Sequence, residues 1–301
     1  MYEQLPKGGV LTKMKLAWRL FRARKGHDVV LVTGDTCGMI FSLLQRILPG
    51  KRIPTVMVDC LWYREASWWK RELKHWQMRF CLEAVDRCVV LAERERRAYA
   101  EEFGIDPAKL VFVPHHTTLH PHRYSFTRSD GDYIFAGGNG DRDYETFVAA
   151  MRGVSFPCVI ACTDDARFSR IELPPHVRRV SASHEEFRQW IAGCAFLVLP
   201  MQGGLLHSGG QQTFLNAMML GKPVVVTDVA GGSSYIEHGV TGLLVEPGQV
   251  RELQEAIASL VDNPAERRAM GKRAEQAAQV YTVANCYDRI CAVADEVIVR
   301  S

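Results

Sequence analysis

The stretch best suited to chemistry is "HSGGQQTFLNAMMLGKPVVVTD", residues 207–228. A glycine pair precedes an apolar helical pattern, and a Gly-Lys-Pro turn returns the chain to a run of valines. Gly209 and Gly210 carry no side chains, so the backbone there can come close to a ligand. The N–H groups of Gly210, Gln211, Gln212 and Thr213 stand at a helix start, where no carbonyl one turn back can take them. Ser208 or Thr213 can add a hydroxyl. Such a terminus suits an anion, and a diphosphate is its natural guest. The plain alternative is a Ser N-cap and a glycine turn facing solvent. Against it stands the strand-like "AFLVLP" (195–200) just upstream, because ligands of open α/β sheets sit beyond the carboxyl ends of strands.

Other candidates are spread along the chain. "AGGNGDRD" (136–143) puts Gly137, Gly138 and Gly140 after another strand, with Arg142 as a counter-charge for phosphate. It is not a dinucleotide fingerprint, since Asp143 stands at the last glycine of G-x-G-x-x-G. A third glycine cluster lies in "GGSSYIEHGVTGLLVEPG" (231–248). Asp35 and Asp59 end strands of the first half and face the expected cleft, although an isolated Asp there also reads as a helix N-cap or turn residue. "HHTTLHPH" gathers His115, His116, His120 and His122. Its spacing fits no zinc helix or knuckle and no Cys or carboxylate accompanies it, so a loop at the interdomain cleft is preferred to a metal site.

These residues need a scaffold, and the hydrophobic pattern supplies one. Continuous Val/Ile/Leu runs at 28–34, 53–60, 88–93 and 110–114 alternate with helical patterns. After the aperiodic stretch 115–132 the pattern restarts at 132–138, 157–162, 178–183, 195–200, 223–228 and 241–247, and from 250 onward it is helical. Strands of this kind between helices predict parallel sheets covered on both faces, an α/β fold of two doubly wound, Rossmann-like halves. The expected domains are 1–122 and 123–301, with the last helix (281–301) packing back on the first.

Length and composition fit this. The 301 residues suffice for one large or two ordinary domains, and 47% apolar content is that of a globular protein. The net charge of +3 is too small for a general nucleic-acid binder. Nine scattered cysteines without a C-x-x-C pair point to reduced thiols in the cytoplasm. No apolar run reaches the length of about 20 residues that a spanning helix needs, and no signal-peptide core opens the chain.

Residues 185–285 resemble the C-terminal, nucleotide-sugar-binding domain of retaining GT-B glycosyltransferases of the E-x7-E type (glycosyltransferase family 4-like, "glycosyl transferases group 1"). The similar text is "EEFRQWIAGCAFLVLP" followed by "NAMMLGKPVVVTDVAGGSSYIEHGVTGLLVEPGQVRELQEAIASLVDNP". The likeness weakens over "YIFAGGNGDRDYETFVAAM" and is faint across 28–114. It implies two Rossmann-like domains, a nucleotide-diphosphate sugar as donor, no cofactor and no metal. It also implies donor contacts from Gly138, Arg142, Ser183, Ser208, Gly209, Gly210, Gln211, Gln212, Thr213 and Asn216. Base contacts would come from 181–184 and sugar contacts from 231–235. The chain departs from the pattern at both glutamates: Asn216 stands where the family's carboxylate binds ribose, and Ser208 where the other lies near the donor sugar. The family's catalytic histidine matches no position, which leaves Asp35, His115 and His116 as catalytic candidates. Four strands in the first half, where six or seven are usual, suggest a reduced acceptor-side domain.

Two segments carry basic and aromatic residues together. "KMKLAWRLFRARK" (13–25) holds Met14, Trp18 and Phe21 among its cations, and 60–80 holds four tryptophans with Arg64, Lys70, Arg71, Lys74 and Arg79. They suit an anionic lipid surface at the inner face of the membrane, or packed helices with a solvated basic rim. The expectation is a glycosyltransferase with a lipid-linked or surface-polysaccharide acceptor, no nucleic acid, and peripheral membrane contact. The alternatives are a non-catalytic relative that works as a binding or regulatory subunit with a protein partner, and a sugar-nucleotide epimerase.

Overall fold

The structure is a computed structural model describing residues 9–119, 131–229 and 231–300. The chain forms two compact units, one of Met1–Val113 with Tyr287–Ser301 and one of Pro114–Cys286. The division falls at Val113, just after the last strand of the first half, rather than inside the histidine-bearing stretch.

The first unit holds a parallel sheet of β1 (Val30–Thr33), β2 (Thr55–Val58), β3 (Arg87–Val90) and β4 (Leu110–Phe112), in that spatial order. The helices α1 (Val10–Ala23), α2 (Thr36–Ile47), α3 (Trp68–Leu82) and α4 (Glu93–Phe103) punctuate them. Asp35 starts α2 as its N-cap, and Gly104, in the left-handed region at φ 61°, stops α4. Val56, Met57, Cys88 and Val90 are buried between the covering helices. Each large apolar side chain buried in this way stabilises the fold by about 1.5–3 kcal/mol.

The second unit has six parallel strands: β5 (Ile134–Gly137), β6 (Cys158–Ala161), β7 (Val177–Val180), β8 (Phe196–Leu199), β9 (Val224–Thr227) and β10 (Leu243–Val245). Their order is β10-β9-β8-β5-β6-β7. The intervening helices are α5 (Tyr144–Met151), α6 (Asp165–Phe168), α7 (His184–Gly193) and α8 (Gln211–Met219). After the sheet come α9 (Val250–Asp262), α10 (Pro264–Ala278) and α11 (Val283–Val299), whose residues from 287 onward belong to the first unit. All residues of β5, β6, β8 and β9 are buried, which is why their sequences show no polar alternation. On one side Phe147, Met151, Ile257, Leu260 and Met270 close the core.

The Trp-rich segment is only partly helical. Trp62 lies before α3 and is a core residue: its indole Nε1–H donates to the Gly34 carbonyl (2.9 Å) and its ring packs on Tyr99 at 4.9 Å. Arg64 and Arg71 are pinned to the buried Glu102 of α4, each at 2.9 Å. Trp68, Trp69 and Trp76 of α3 stay 78%, 54% and 63% exposed.

Candidate functional site

In the second unit β5 and β8 are neighbours, but the chain leaves them in opposite directions, toward β6 and β7 on one side and β9 and β10 on the other. The crevice at such a reversal is where open α/β sheets hold ligands. The loops that leave β5 and β8 there are clasped together. The Asp143 N–H donates to the Pro200 carbonyl (3.0 Å) and the Gln202 N–H to that of Asp141 (2.9 Å). His207 Nε2 lies 3.3 Å from Asp141 Oδ2, with Asp141 itself in the left-handed region at φ 51°. Burial lowers the His207 pKa, and Asp141 opposes the shift.

Arg142 is the hub of this junction. Its Nε donates to the Gly137 carbonyl (3.1 Å) and its Nη1 to that of Gly140 (2.8 Å), and Tyr144 adds a hydroxyl bond to the Gly138 carbonyl (2.7 Å). The remaining nitrogen, Nη2, lies where a Cβ on Gly138 would be 2.8 Å away and one on Gly210 3.2 Å away. Both glycines have positive φ, 118° and 78°. The guanidinium makes no salt bridge among the described residues, and burial pulls its pKa below the ordinary arginine value. A buried cation in no salt bridge among the described residues, set against two glycine loops, can serve an anion.

The N-terminus of α8 opens at the same place. Gly210 is its N-cap and no side chain caps it. The N–H groups of Thr213 and Phe214 bond the Gly210 carbonyl at 2.9 and 3.2 Å. Thr213 therefore does not offer the spare N–H expected of it, whereas Gln211 and Gln212 have no backbone acceptor among the described residues. The glycine pair has a packing reason besides the ligand one. A Cβ on Gly210 would meet Leu199 Cδ2 at 2.5 Å, and one on Gly209 the Met201 Cε at 2.8 Å. Ser208 is buried, and the Gln211 side chain is buried with its Nε2 lacking a hydrogen-bond partner.

A cavity of about 280 Å³ spreads from this terminus across the ends of β5, β6 and β7. Gly138, Asn139 and Thr163 form one side, and the Asn139 amide grips Thr163 reciprocally, at 2.8 Å to its hydroxyl and 2.9 Å from its N–H. Ser183, Phe187 and Arg188 of the α7 end form another. Ser183 caps α7 through a reciprocal pair with Glu186, at 2.7 and 3.3 Å. Phe187 needs Gly137 beneath it, because a Cβ there would lie 2.4 Å from its ring. Gln212, Thr213 and Asn216 present one face of α8, with Thr118 beside them. Among the described residues no Asp or Glu lines the cavity.

The cavity thus unites Gly138, Ser183, Gln212, Thr213 and Asn216. Arg142 Nη2 adjoins Gly138 and Gly210 beside the cavity, but Arg142 and Gly210, like Ser208, Gly209 and Gln211, do not line it. Asn216 accepts at Oδ1 from the Thr117 hydroxyl (2.7 Å), the Thr118 N–H (2.8 Å) and the Leu119 N–H (3.1 Å), so it also anchors the segment that enters this unit. Among 231–235, Tyr235 packs on Phe214 and Tyr281 and does not line the cavity. Sequence reasoning missed Thr118, Asn139, Thr163, Phe187, Arg188 and the Asp141–His207 pair.

The catalytic candidates lie elsewhere. Asp35 caps α2, accepting from the N–H groups of Cys37 (3.0 Å) and Gly38 (3.3 Å), and pairs with Lys13 at 3.2 Å. Partial burial works to raise its pKa, but Thr33, the Gly38 N–H and Lys13 outweigh it and hold the carboxyl low. Asp35 borders a cavity of about 290 Å³ in the first unit with Met39, Leu61 and Trp62. The His115 and His116 rings lie 4.7 Å apart, tilted by 40°, in the second unit, and the His115 N–H donates to the Tyr235 hydroxyl (2.9 Å). Burial and then His116 push the His115 pKa down to about 4. His120 and His122 lie outside the described residues. Among the described residues no three His, Cys, Asp or Glu side chains gather as metal ligands.

Residues 142–263 match the family described as "Glycosyl transferases group 1", and residues 3–116 match the "Glycosyl transferase 4-like domain". Over 108 residues the chain is 45% identical to a D-inositol 3-phosphate glycosyltransferase of Pseudarthrobacter chlorophenolicus, covering 36% of this chain and 23% of that one. Sucrose-phosphate synthase from Thermosynechococcus elongatus superposes with a TM-score of 0.77 at 17% identity, over 97% of this chain and 79% of that one. Anabaena Alr3699/HepE in complex with UDP-glucose gives a TM-score of 0.70 at 15% identity, over 95% and 82%. These two likenesses establish a GT-B fold. The chain belongs to the group 1, family 4-like glycosyltransferases. The matched part spans 23% of the inositol-phosphate enzyme and 17% and 21% of two other curated relatives.

Proposed function

We propose that the chain is a glycosyltransferase whose second unit binds a nucleotide-diphosphate sugar, and whose first unit receives the acceptor. The observation that carries this reading is the junction of Arg142 Nη2 with Gly138, Gly210 and the uncapped start of α8, opening on the 280 Å³ cavity. The diphosphate would lie against those groups, which also stabilise the charge that develops on the leaving group. The base would reach toward Ser183, Phe187 and Arg188. That the solved Alr3699/HepE is a complex with UDP-glucose supports a sugar nucleotide here. The reading assigns the neutralising work to protein groups, with no metal and no cofactor, and takes retention of configuration from the family resemblance.

The acceptor is proposed to be lipid-linked or a surface polysaccharide, reached at the inner face of the membrane from the cytoplasm. Among the described residues no helix is long and apolar enough to cross a bilayer. Support for surface contact comes from α3, where three exposed tryptophans stand among Lys70 and Lys74, the pattern that partitions into an anionic interface.

A second reading, a relative that binds donor but needs a partner for turnover, is favoured by one observation: among the described residues no carboxylate lines the donor cavity. The test is to incubate the chain with a panel of nucleotide-diphosphate hexoses, with and without membranes, and follow release of the nucleoside diphosphate. Membrane-dependent release supports the transferase. Saturable binding without release in either case supports the partner-dependent relative, and absence of binding contradicts both.

A further inference from the structure

We infer that Asp141 and His207 are positioning residues for the donor diphosphate: their contact locks the loop after β8 onto the loop after β5 and so holds the Arg142 guanidinium against the start of α8. The inference rests on the donor reading above. The two loops meet first through backbone. Arg142 stands opposite Met201 in a short antiparallel bridge, flanked by the Asp143 N–H bond to Pro200 and the Gln202 N–H bond to Asp141. Beyond Gln202 the chain runs out through exposed Gly203 and Gly204, the latter at φ 77°, and returns buried at Leu206 and His207. There His207 meets the side chain of the aspartate whose carbonyl Gln202 has bonded, with 3.3 Å from Nε2 to Oδ2. Asp141 therefore closes the excursion 202–207 at both ends.

Position gives this contact its consequence. Asp141 is the immediate neighbour of Arg142, and His207 stands three residues before Gly210, the N-cap of α8. The pair thus ties the residue beside the guanidinium to the segment that leads into the helix start. Arg142 does not fix that distance by itself. Its Nε and Nη1 are held by the Gly137 and Gly140 carbonyls of its own loop, and across the junction Nη1 has the Met201 sulfur at 2.9 Å, a weak acceptor. The backbone at Asp141, at φ 51°, is one that glycine adopts without penalty. An aspartate there carries a conformational cost, of the kind that persists where surrounding contacts hold a residue in place and that clusters at ligand clamps. A carboxylate only accepts, so Nε2 carries the proton and the link is an N–H···O bond. A binding group set slightly out of place loses much of its effect, so the shell that holds Arg142 decides how well Nη2 and the helix start meet one diphosphate.

The experiment is calorimetric titration of the full chain with ADP, CDP, GDP and UDP, continued in the variants with the one that binds. His207→Gln keeps an N–H in the place of Nε2 and should leave Kd within about threefold of wild type. His207→Leu, of similar bulk without the N–H, should raise Kd about tenfold. Asp141→Gly suits the left-handed backbone, removes the carboxylate and should raise Kd by the same factor, so the result does not depend on the leucine variant folding. A thermal melt establishes that each variant is folded. In an Arg142→Gln background, with no guanidinium left to aim, Asp141→Gly should change Kd by less than about threefold. Wild-type affinity in a folded His207→Leu or Asp141→Gly overturns the inference and leaves the donor reading intact. Equal losses in His207→Gln and His207→Leu also overturn it, since packing is then the cause. A further loss of about tenfold in the Arg142→Gln background overturns it as well, because the pair then does not act through Arg142. Failure of the wild type to bind any of the four overturns the donor reading and this inference together.

Discussion

At the residue scale the two positions where the family resemblance places glutamates have been put to other use. Ser208 is buried away from the cavity, and Asn216 holds the segment 117–119 with its oxygen while lining the cavity with its amide. Asn216→Ala should leave the Thr118 N–H without its acceptor and the Leu119 N–H with only the Thr117 hydroxyl at 3.2 Å, and lower stability by about 1–3 kcal/mol, read as a shift in the urea midpoint. An unchanged midpoint would show that the anchor is energetically idle. The glycine loops and Arg142 were legible because they follow buried strands, and small residues at strand ends imply close approach. The packing reason for Gly209 and Gly210 was not legible, since it depends on Met201 and Leu199 folding back beneath them. Nor was the Asp141–His207 contact, which joins residues from two loops that only the strand order brings together.

At the element scale α3 and α4 separate structural charge from surface charge. Glu102 is buried on α4, and burial alone would raise its pKa. Arg64, His75 and Arg71 outweigh that and hold it below the usual carboxylate range. A depressed carboxyl contributes stability that is complete above its unfolded value of about 4.3 and is lost as pH falls through the lower folded value. Glu102→Gln should therefore be less stable than wild type by about 1–2 kcal/mol near pH 7, discounted because Arg64 and Arg71 are about half exposed. The gap should close as pH falls below 4. A pH-independent gap would assign the effect to packing. Exposed Trp68, Trp69 and Trp76 carry the other prediction: replacing all three with alanine should weaken sedimentation with phosphatidylglycerol vesicles by roughly tenfold or more without lowering the melting temperature. Equal binding would remove α3 as the membrane contact. Helical spacing and composition pointed to this face, but they also swept in Trp62, whose burial is set by Gly34 and Tyr99 from distant parts of the chain.

At the scale of the whole molecule, two parallel α/β units were readable from strands that lack polar alternation, because burial on both faces erases it. The unit boundary was less readable. The aperiodic stretch 115–132 suggested a linker, yet its first residues are tied into the second unit by Asn216, Tyr235 and Tyr281, through side-chain and backbone bonds without a sequence signature. The account as a whole depends on the second unit holding a nucleoside diphosphate at the start of α8. Gln212→Glu tests that most directly. Gln212 is exposed in the first turn of α8, where an acid is favourable to the helix, so folding should be unaffected. The measurement is a calorimetric titration of wild type and Gln212→Glu with nucleoside diphosphates of each base. The account predicts saturable binding of at least one by the wild type, weakened about tenfold in the variant by like-charge repulsion of about 1–2 kcal/mol. No binding by the wild type, or equal affinity in both proteins, would contradict it.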